Sequence, residues 1–184
     1  MAQDTAAPGL LTMLATDAEF AAAEFRRCMR GLAGAVAVIT CGAHGLRTGL
    51  TATAVCSLTD RPPMLLACVN SAASAYPVIR ETGRFAVNIL DEMHLPLAGR
   101  FAGREGAEGE QRFAGAEWIH NGDGAPMLAG ALASFDCALE AEHQHGSHSI
   151  FVGRVLAAVS GPGARPLLYH AGRFGTFAVA APPG

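Results

Sequence analysis

The sequence contains no lysine: all thirteen basic residues among its 184 are arginine. That absence excludes Schiff-base catalysis and the lysine-dependent phosphate-binding P-loop. Charged residues make up only 16% of the chain, and the formal net charge of −3 comes without a basic block. No nucleic-acid footprint is therefore present. The longest apolar run, Gly31 to Ala43, falls short of the about 20 residues that a membrane-crossing helix needs. The five cysteines, Cys28, Cys41, Cys56, Cys68 and Cys137, include no C-x-x-C pair, so neither a zinc knuckle nor a thioredoxin-type centre is signalled. No basic N-terminal segment leads into an apolar stretch, and the expectation is a reducing cytoplasm with free thiols. G-x-G-x-x-G and G-x-S-x-G are both missing, which removes support for a Rossmann cradle and a hydrolase elbow.

What is there suffices for one core: 51% of the residues are apolar, which rules out a disordered chain. Residues 1–16 read as a flexible tail, 17–178 as a single domain and 179–184 as a second short tail. A helix is predicted from Asp17, its cap, with Phe25, Cys28, Met29 and Leu32 on one buried face. Ala35–Thr40 reads as a buried strand, and Leu46–Leu58 as one extended stretch with Thr51 and Thr53 on the face opposite Leu50, Ala52 and Ala54. Asp60–Pro63 must be a connection. Met64–Val69 is a strand, a short helix follows Ser74, and Arg84–Leu90 is another strand with Phe85, Val87 and Ile89 on one side. A helix is predicted from Asp91 towards Phe101, and residues 102–126 read as a long Gly-rich surface loop. Two long strands, Ala131–His143 and His148–Ser160, meet at a tight turn, and a last strand pair covers Leu167–His170 and Arg173–Phe177. Many strands, few helices and no βαβ alternation make the fold mainly β, a closed or nearly closed barrel with short helices attached.

Three stretches carry chemistry. In Gly49–Pro63 (GLTATAVCSLTDRPP), small residues and hydroxyls on extended backbone let a flat ligand approach the main chain, although small residues also fit the taper of a barrel. Val69–Ser74 follows a strand and opens a helix, so its hydroxyls and free N–H groups suit a phosphate; alone, Ser71 and Ser74 read more simply as helix caps. Glu142–His148 holds three histidines, yet no further ligand is spaced to complete a metal site, and His148 stands out instead as a neutral hydrogen-bonding group at a ligand. Arg100, Arg104 and Arg112, in or beside the Gly-rich segment, are either solvated or phosphate-binding.

Together with Met64–Ser74 (MLLACVNSAAS), Arg84–Leu90 (RFAVNIL), Ala131–Cys137 (ALASFDC), Gly146–His148 (GSH) and Leu168–Phe174 (LYHAGRF), the Gly49–Pro63 run resembles the short-chain flavin reductases. These are the NAD(P)H:flavin oxidoreductase components of two-component flavin monooxygenases, among them reductases serving 4-hydroxyphenylacetate and chlorophenol hydroxylases and the pyrimidine-utilisation reductase. The resemblance covers about residues 22–178. It implies a homodimeric FMN-binding split β-barrel of Greek-key type, using FMN or FAD with NADH or NADPH. By the same resemblance Thr51, Ala52, Thr53 and Ala54 lie along the isoalloxazine, with Cys56, Ser57 and Leu58 by the ribityl chain. Cys68, Val69 and Asn70 border the flavin, Ser71 and Ser74 sit near its phosphate, and Phe101 flanks it. His148 is implied beside the nicotinamide, with Ser147 where many members carry an acidic residue, and Tyr169, Arg173 and Phe174 are implied close to the same pocket. The implied activity is hydride transfer to flavin that then feeds a separate monooxygenase, with no metal, nucleic acid or membrane involved. A flavin-dependent reductase of another acceptor such as a corrinoid, a non-catalytic flavin-binding protein and a lipocalin-like barrel are the alternative readings.

Overall fold

The computed structural model describes residues 18–162 and 165–178. Two compact units divide the chain, one running to Leu32 and the other starting at Ala33. The first contributes helix α1, Ala18–Met29, with Glu19 in its first turn and Arg26 and Arg27 in its last, the polarity that a helix dipole favours. Phe25, Met29 and Leu32 are 59%, 45% and 64% exposed, so the buried face expected from their spacing is not buried. Periodicity says which residues share a face; it does not supply what covers it. The Asp17 cap and both predicted tails lie outside the described residues.

The second unit is mostly strand. In chain order its first strands are β1 (Gly34–Ala35), β2 (Ala37–Cys41), β3 (Thr48–Ala52), β4 (Val55–Asp60) and β5 (Pro63–Asn70). Helix α2 (Ala75–Thr82), strand β6 (Arg84–Ile89), a 3-10 turn at Glu92–His94 and helix α3 (Leu95–Phe101) follow. After them come β7 (Trp118–Ile119), β8 (Met127–Leu128), β9 (Ala133–His145), β10 (His148–Ser160), β11 (Leu167–His170) and β12 (Arg173–Thr176). Seven strands form one antiparallel sheet in the order β3-β2-β6-β9-β10-β5-β4, while β1-β11-β12 and β7-β8 make two smaller sheets.

The order explains a difference from the sequence reading. Leu46–Leu58 was expected as a single extended stretch, but β3 pairs with β2 and β4 pairs with β5. The chain therefore breaks at Thr53 and Ala54, and two strands adjacent in sequence become the two opposite edges of the sheet. This is a split barrel.

Strand β2 is buried on both faces. Ala37, Ile39 and Cys41 join an interior cluster with Leu65, Val69, Phe85, Val87 and Phe151. Val36 and Val38 join a second cluster with Leu97, Ala98, Phe101 and Phe113. That double burial is why its sequence is apolar at every position but Thr40, whose hydroxyl donates to the Pro126 carbonyl, rather than alternating. The buried polar groups beneath it are paired: Asn88 donates to the Val38 carbonyl at 2.9 Å and accepts the Leu128 N–H at 2.7 Å. Asp136, fully buried, takes Arg84, Asn121 and the Ala125 N–H.

Segment 102–126 carries more order than the loop read from its composition. A 3-10 turn at Gly109–Phe113 buries Phe113 against Phe101 and Trp118, with ring centroids 5.1 and 4.8 Å apart. Glycine and charge dominate the segment, but two aromatic anchors decide its path.

Gly153 on β10 lies where an added Cβ would stand 2.5 Å from the Phe85 ring and 3.0 Å from the Cys137 Cβ. Both neighbours are fully buried. Gly153→Ala is expected to cost about 1–3 kcal/mol through overpacking, read as a lower urea midpoint with an unchanged slope.

Candidate functional site

The sheet's open edge at β3 faces α3 and the small sheet. Thr51 Oγ1 donates to the Ala98 carbonyl at 2.7 Å, which ties β3 to α3. Leu50 packs instead against the barrel cluster, as the alternation predicts, and Ala52 touches both that cluster and the cavity. Across from β3, the β11–β12 hairpin turns through Ala171 and Gly172, both at positive φ (50° and 83°), the backbone of the tight turn that matches strand twist. It sets Tyr169 opposite Phe174, edge to face at 5.2 Å. Thr51, Ala52 and Thr53 with Tyr169, Phe174 and Arg104 line a cavity of about 230 Å³. Arg173 does not line this cavity; with His170 and Phe174 it borders a neighbouring one of about 660 Å³.

A second group forms where the β5–α2 turn meets the β9–β10 hairpin. The Ser71 N–H and Oγ both donate to the Ser147 carbonyl, at 2.9 and 3.1 Å. His148 is exposed and stands directly across the strands from Asn70, with its Nδ1 3.0 Å from Ser147 Oγ. Ser74 precedes α2 without capping it; its Oγ shares a 2.8 Å hydrogen bond with Thr48 Oγ1 on β3. The Ser74 hydroxyl therefore links the helix start to the same strand that lines the first cavity.

The remaining expected residues divide. Cys56 and Leu58 are exposed on the edge strand β4, beside exposed Ser57, and Cys68 is partly exposed next to it on β5, its N–H bonded to the Ala54 carbonyl at 2.9 Å. Val69 is fully buried in the barrel cluster, so its side chain faces away from any ligand on that surface. Phe101 is 2% exposed and packs behind β3, where a Cβ on Gly49 would come within 2.8 Å of its ring. It supports the strand from beneath. Among the described residues no group of three or more His, Cys, Asp or Glu is placed to hold a metal ion. The buried thiols Cys41 and Cys137 are pushed up to about 12 by burial and stay protonated.

Sequence reasoning passed over the groups that brace the site. Glu142 accepts Tyr76 Oη at 2.6 Å and Ser149 Oγ at 2.8 Å and pairs with Arg80 at 3.0 Å, tying α2 to the hairpin that carries His148. The Tyr76 hydrogen bond, with Ser149 and Arg80 beside it, holds its carboxyl below the usual range. Glu110 accepts the Gly45 and Arg47 N–H groups and the Arg47 guanidinium, and Arg112 donates to the Gly49 carbonyl. No spacing pattern links residues 63 positions apart.

An antiparallel sheet split between sequence-adjacent edges, with small and hydroxylated residues of one edge facing two aromatic rings, defines a split barrel with a cavity at its open edge. The flavin reductase like domain matches residues 29–178, and the chain belongs to that family. It is 44% identical over 162 residues to an FMN reductase (NADH), RutF 2, of Methylorubrum extorquens strain PA1, covering 88% of this chain and 92% of that one. BorF, the flavin reductase component of a bacterial two-component tryptophan halogenase, superposes with a TM-score of 0.78 at 32% identity over 86% of this chain and 99% of its own. SgcE6, an NADH:FAD oxidoreductase of Streptomyces globisporus solved with NAD and FAD fragments, gives 0.76 at 30% identity over 85% and 93%.

Arg47 holds the Glu110 carboxyl down at about 2, against an ordinary value of 4.5. A lowered folded-state value stabilises the protein above the ordinary value and loses that contribution as pH falls through the folded one. Glu110→Gln is expected to cost about 1 kcal/mol at pH 7, at the low end for a charged hydrogen bond because the group is a third exposed. The gap between the variant and the parent should close between pH 4.5 and 2 in denaturation curves.

Proposed function

We propose that the chain takes hydride from NADH and delivers it to FMN held along β3, releasing reduced flavin to a separate monooxygenase. One observation carries this reading: the open β3 edge, with its Thr51–Thr53 run, faces the Tyr169 and Phe174 rings across a cavity of ligand-ring scale. The residues fit a flavin. Ala52 and Ala54 leave the backbone approachable, and alternate N–H groups of an edge strand are available to a ligand. At the other end, Thr48 and Ser74 hold two hydroxyl protons and use one between them, leaving one for a phosphate.

Bound flavin supplies the hydride acceptor, and that chemistry belongs to the cofactor. The protein contributes position and charge. Edge N–H groups at Thr51–Ala54 stabilise negative charge that develops on the ring. The Thr53 hydroxyl, which has no protein hydrogen bond among the described residues, faces the same cavity. Ser147 binds His148 Nδ1, so Nε2 is left to orient the nicotinamide; no proton transfer by the imidazole is required. Near-attack placement, with reacting atoms about 3–3.5 Å apart, is what these contacts must achieve.

The chain acts as a homodimer in the cytoplasm. Exposed Leu58, Leu156 and Val159, beside an apolar cavity of about 370 Å³ lined by Val55, Met64 and Phe135, support a second copy on that side. Among the described residues no helix is long and apolar enough to cross a membrane.

The test is absorbance at 340 nm. Purified protein should oxidise NADH only when FMN is added, and flavin binding without NADH oxidation would overturn the reading. His148→Ala should raise the KM for NADH about fivefold while the KM for FMN holds, the loss expected for one ligand hydrogen bond. Ser74→Ala should do the reverse, weakening FMN and sparing NADH.

A further inference from the structure

Three arginines occupy the end of α3 and the segment after it, and only one is free. Arg100 donates to the Ala114 carbonyl and lies 3.5 Å from Glu105. Arg112 donates to the Ala107 and Gly49 carbonyls. Both are spent on folding the segment, and Arg112 also ties it to β3. Arg104 is exposed, and among the described residues its guanidinium meets no carboxylate or carbonyl. It lies over the Phe174 ring, 5.2 Å from the centroid, and lines the same cavity as Thr51, Thr53 and Tyr169.

The cation is therefore held in place without being neutralised. Stacking on Phe174, itself set against Tyr169, fixes the guanidinium while leaving its N–H donors unused. A planar fork of donors beside a ligand cavity suits a diphosphate, which it can engage with two parallel hydrogen bonds.

Position along β3 separates this cation from the flavin phosphate. The hydroxyl pair that suits that phosphate sits at Thr48 and Ser74, whereas Arg104 faces Thr51–Thr53. Thr48 and Thr53 are five residues apart on extended chain, roughly 17 Å. FMN has one phosphate, so a second anion-binding point at the far end of the strand is left for the other substrate. Resting on the reductase reading above, we infer that Arg104 recognises the diphosphate of the dinucleotide hydride donor, with Phe174 as the residue that positions it.

The test compares two hydride donors with FMN as acceptor, which leaves FAD and its diphosphate out of the assay. Arg104→Leu keeps an apolar side chain on Phe174 and should raise the KM for NADH about tenfold, the loss expected for a charge-assisted contact, a larger change than in the KM for FMN. Dihydronicotinamide riboside has the same nicotinamide and ribose but no phosphate. With it, Arg104→Leu should lose much less relative to the parent than it does with NADH. Arg104→Lys should recover part of the NADH affinity, and added salt should raise the NADH KM of the parent more than that of Arg104→Leu. An unchanged NADH KM, an equal loss with the riboside, or a rise in the FMN KM instead would each overturn the inference. Failure of the parent to oxidise NADH with FMN would overturn the reductase reading itself, a result distinct from these.

Discussion

The structure depends on one pairing constraint: β3 and β4 follow each other in sequence but pair with different neighbours, β2 and β5. Antiparallel hydrogen bonding fills the middle of the seven-stranded sheet and leaves its two edges at either side of Thr53–Ala54. An edge is normally a liability, because unpaired N–H and C=O groups invite another strand. Here the β3 edge is placed against α3 and the small β1-β11-β12 sheet, so its free groups face a cavity about 230 Å³ in volume rather than open solvent. The same feature that breaks the barrel opens the cavity.

Polar ties hold that edge in place from several directions. Arg112 takes the outward Gly49 carbonyl, Thr51 reaches the Ala98 carbonyl, and Glu110 gathers the Gly45–Arg47 turn that leads into β3. Phe101, Phe113 and Trp118 form the apolar base beneath, each ring within 6 Å of the other two. On the other side, the doubly hydrogen-bonded Ser147 carbonyl and the Glu142 network join α2 to the His148 hairpin. The groups proposed for flavin phosphate and for nicotinamide are thus fixed to one another as well as to the sheet. For a reaction whose chemistry resides in the cofactors, relative placement is the protein's main contribution.

The division of labour among polar residues follows burial. Asp136 and Asn88 are fully buried and have their polar atoms committed to structure. Thr53, His148 and Arg104 are exposed and keep donors or acceptors in reserve. A surface that offers hydrogen bonds without enclosing its ligand is consistent with a flavin that must leave after reduction.

Much of this was legible in the residues. The strand at Arg84–Ile89, the turn at Arg61–Pro62 and the tight turn between the two long strands before His148 follow from local rules of alternation, proline geometry and glycine. The family likeness was visible because Gly49–Ser74 packs its small, hydroxylated and turn residues into one stretch whose spacing a strand preserves. The pairing partners were not legible, since register is set by which faces find a common core, and the break at Thr53–Ala54 follows from those partners. Glu110 and Arg47, or Glu142 and Tyr76, lie more than sixty residues apart and meet only through the fold. Alternation also sent Val69 into the barrel, and Arg173 does not line the cavity that Phe174 lines, although both belong to motifs that read as one unit along the chain. The sequence by itself determined that the chain is mostly strand and where its longest strands and the tight turn before His148 lie, because these depend on near neighbours. Only the tertiary structure decided which residues of Gly49–Ser74 line the cavity and which distant charges brace them, because direction and long-range contact exist only once the sheet has closed.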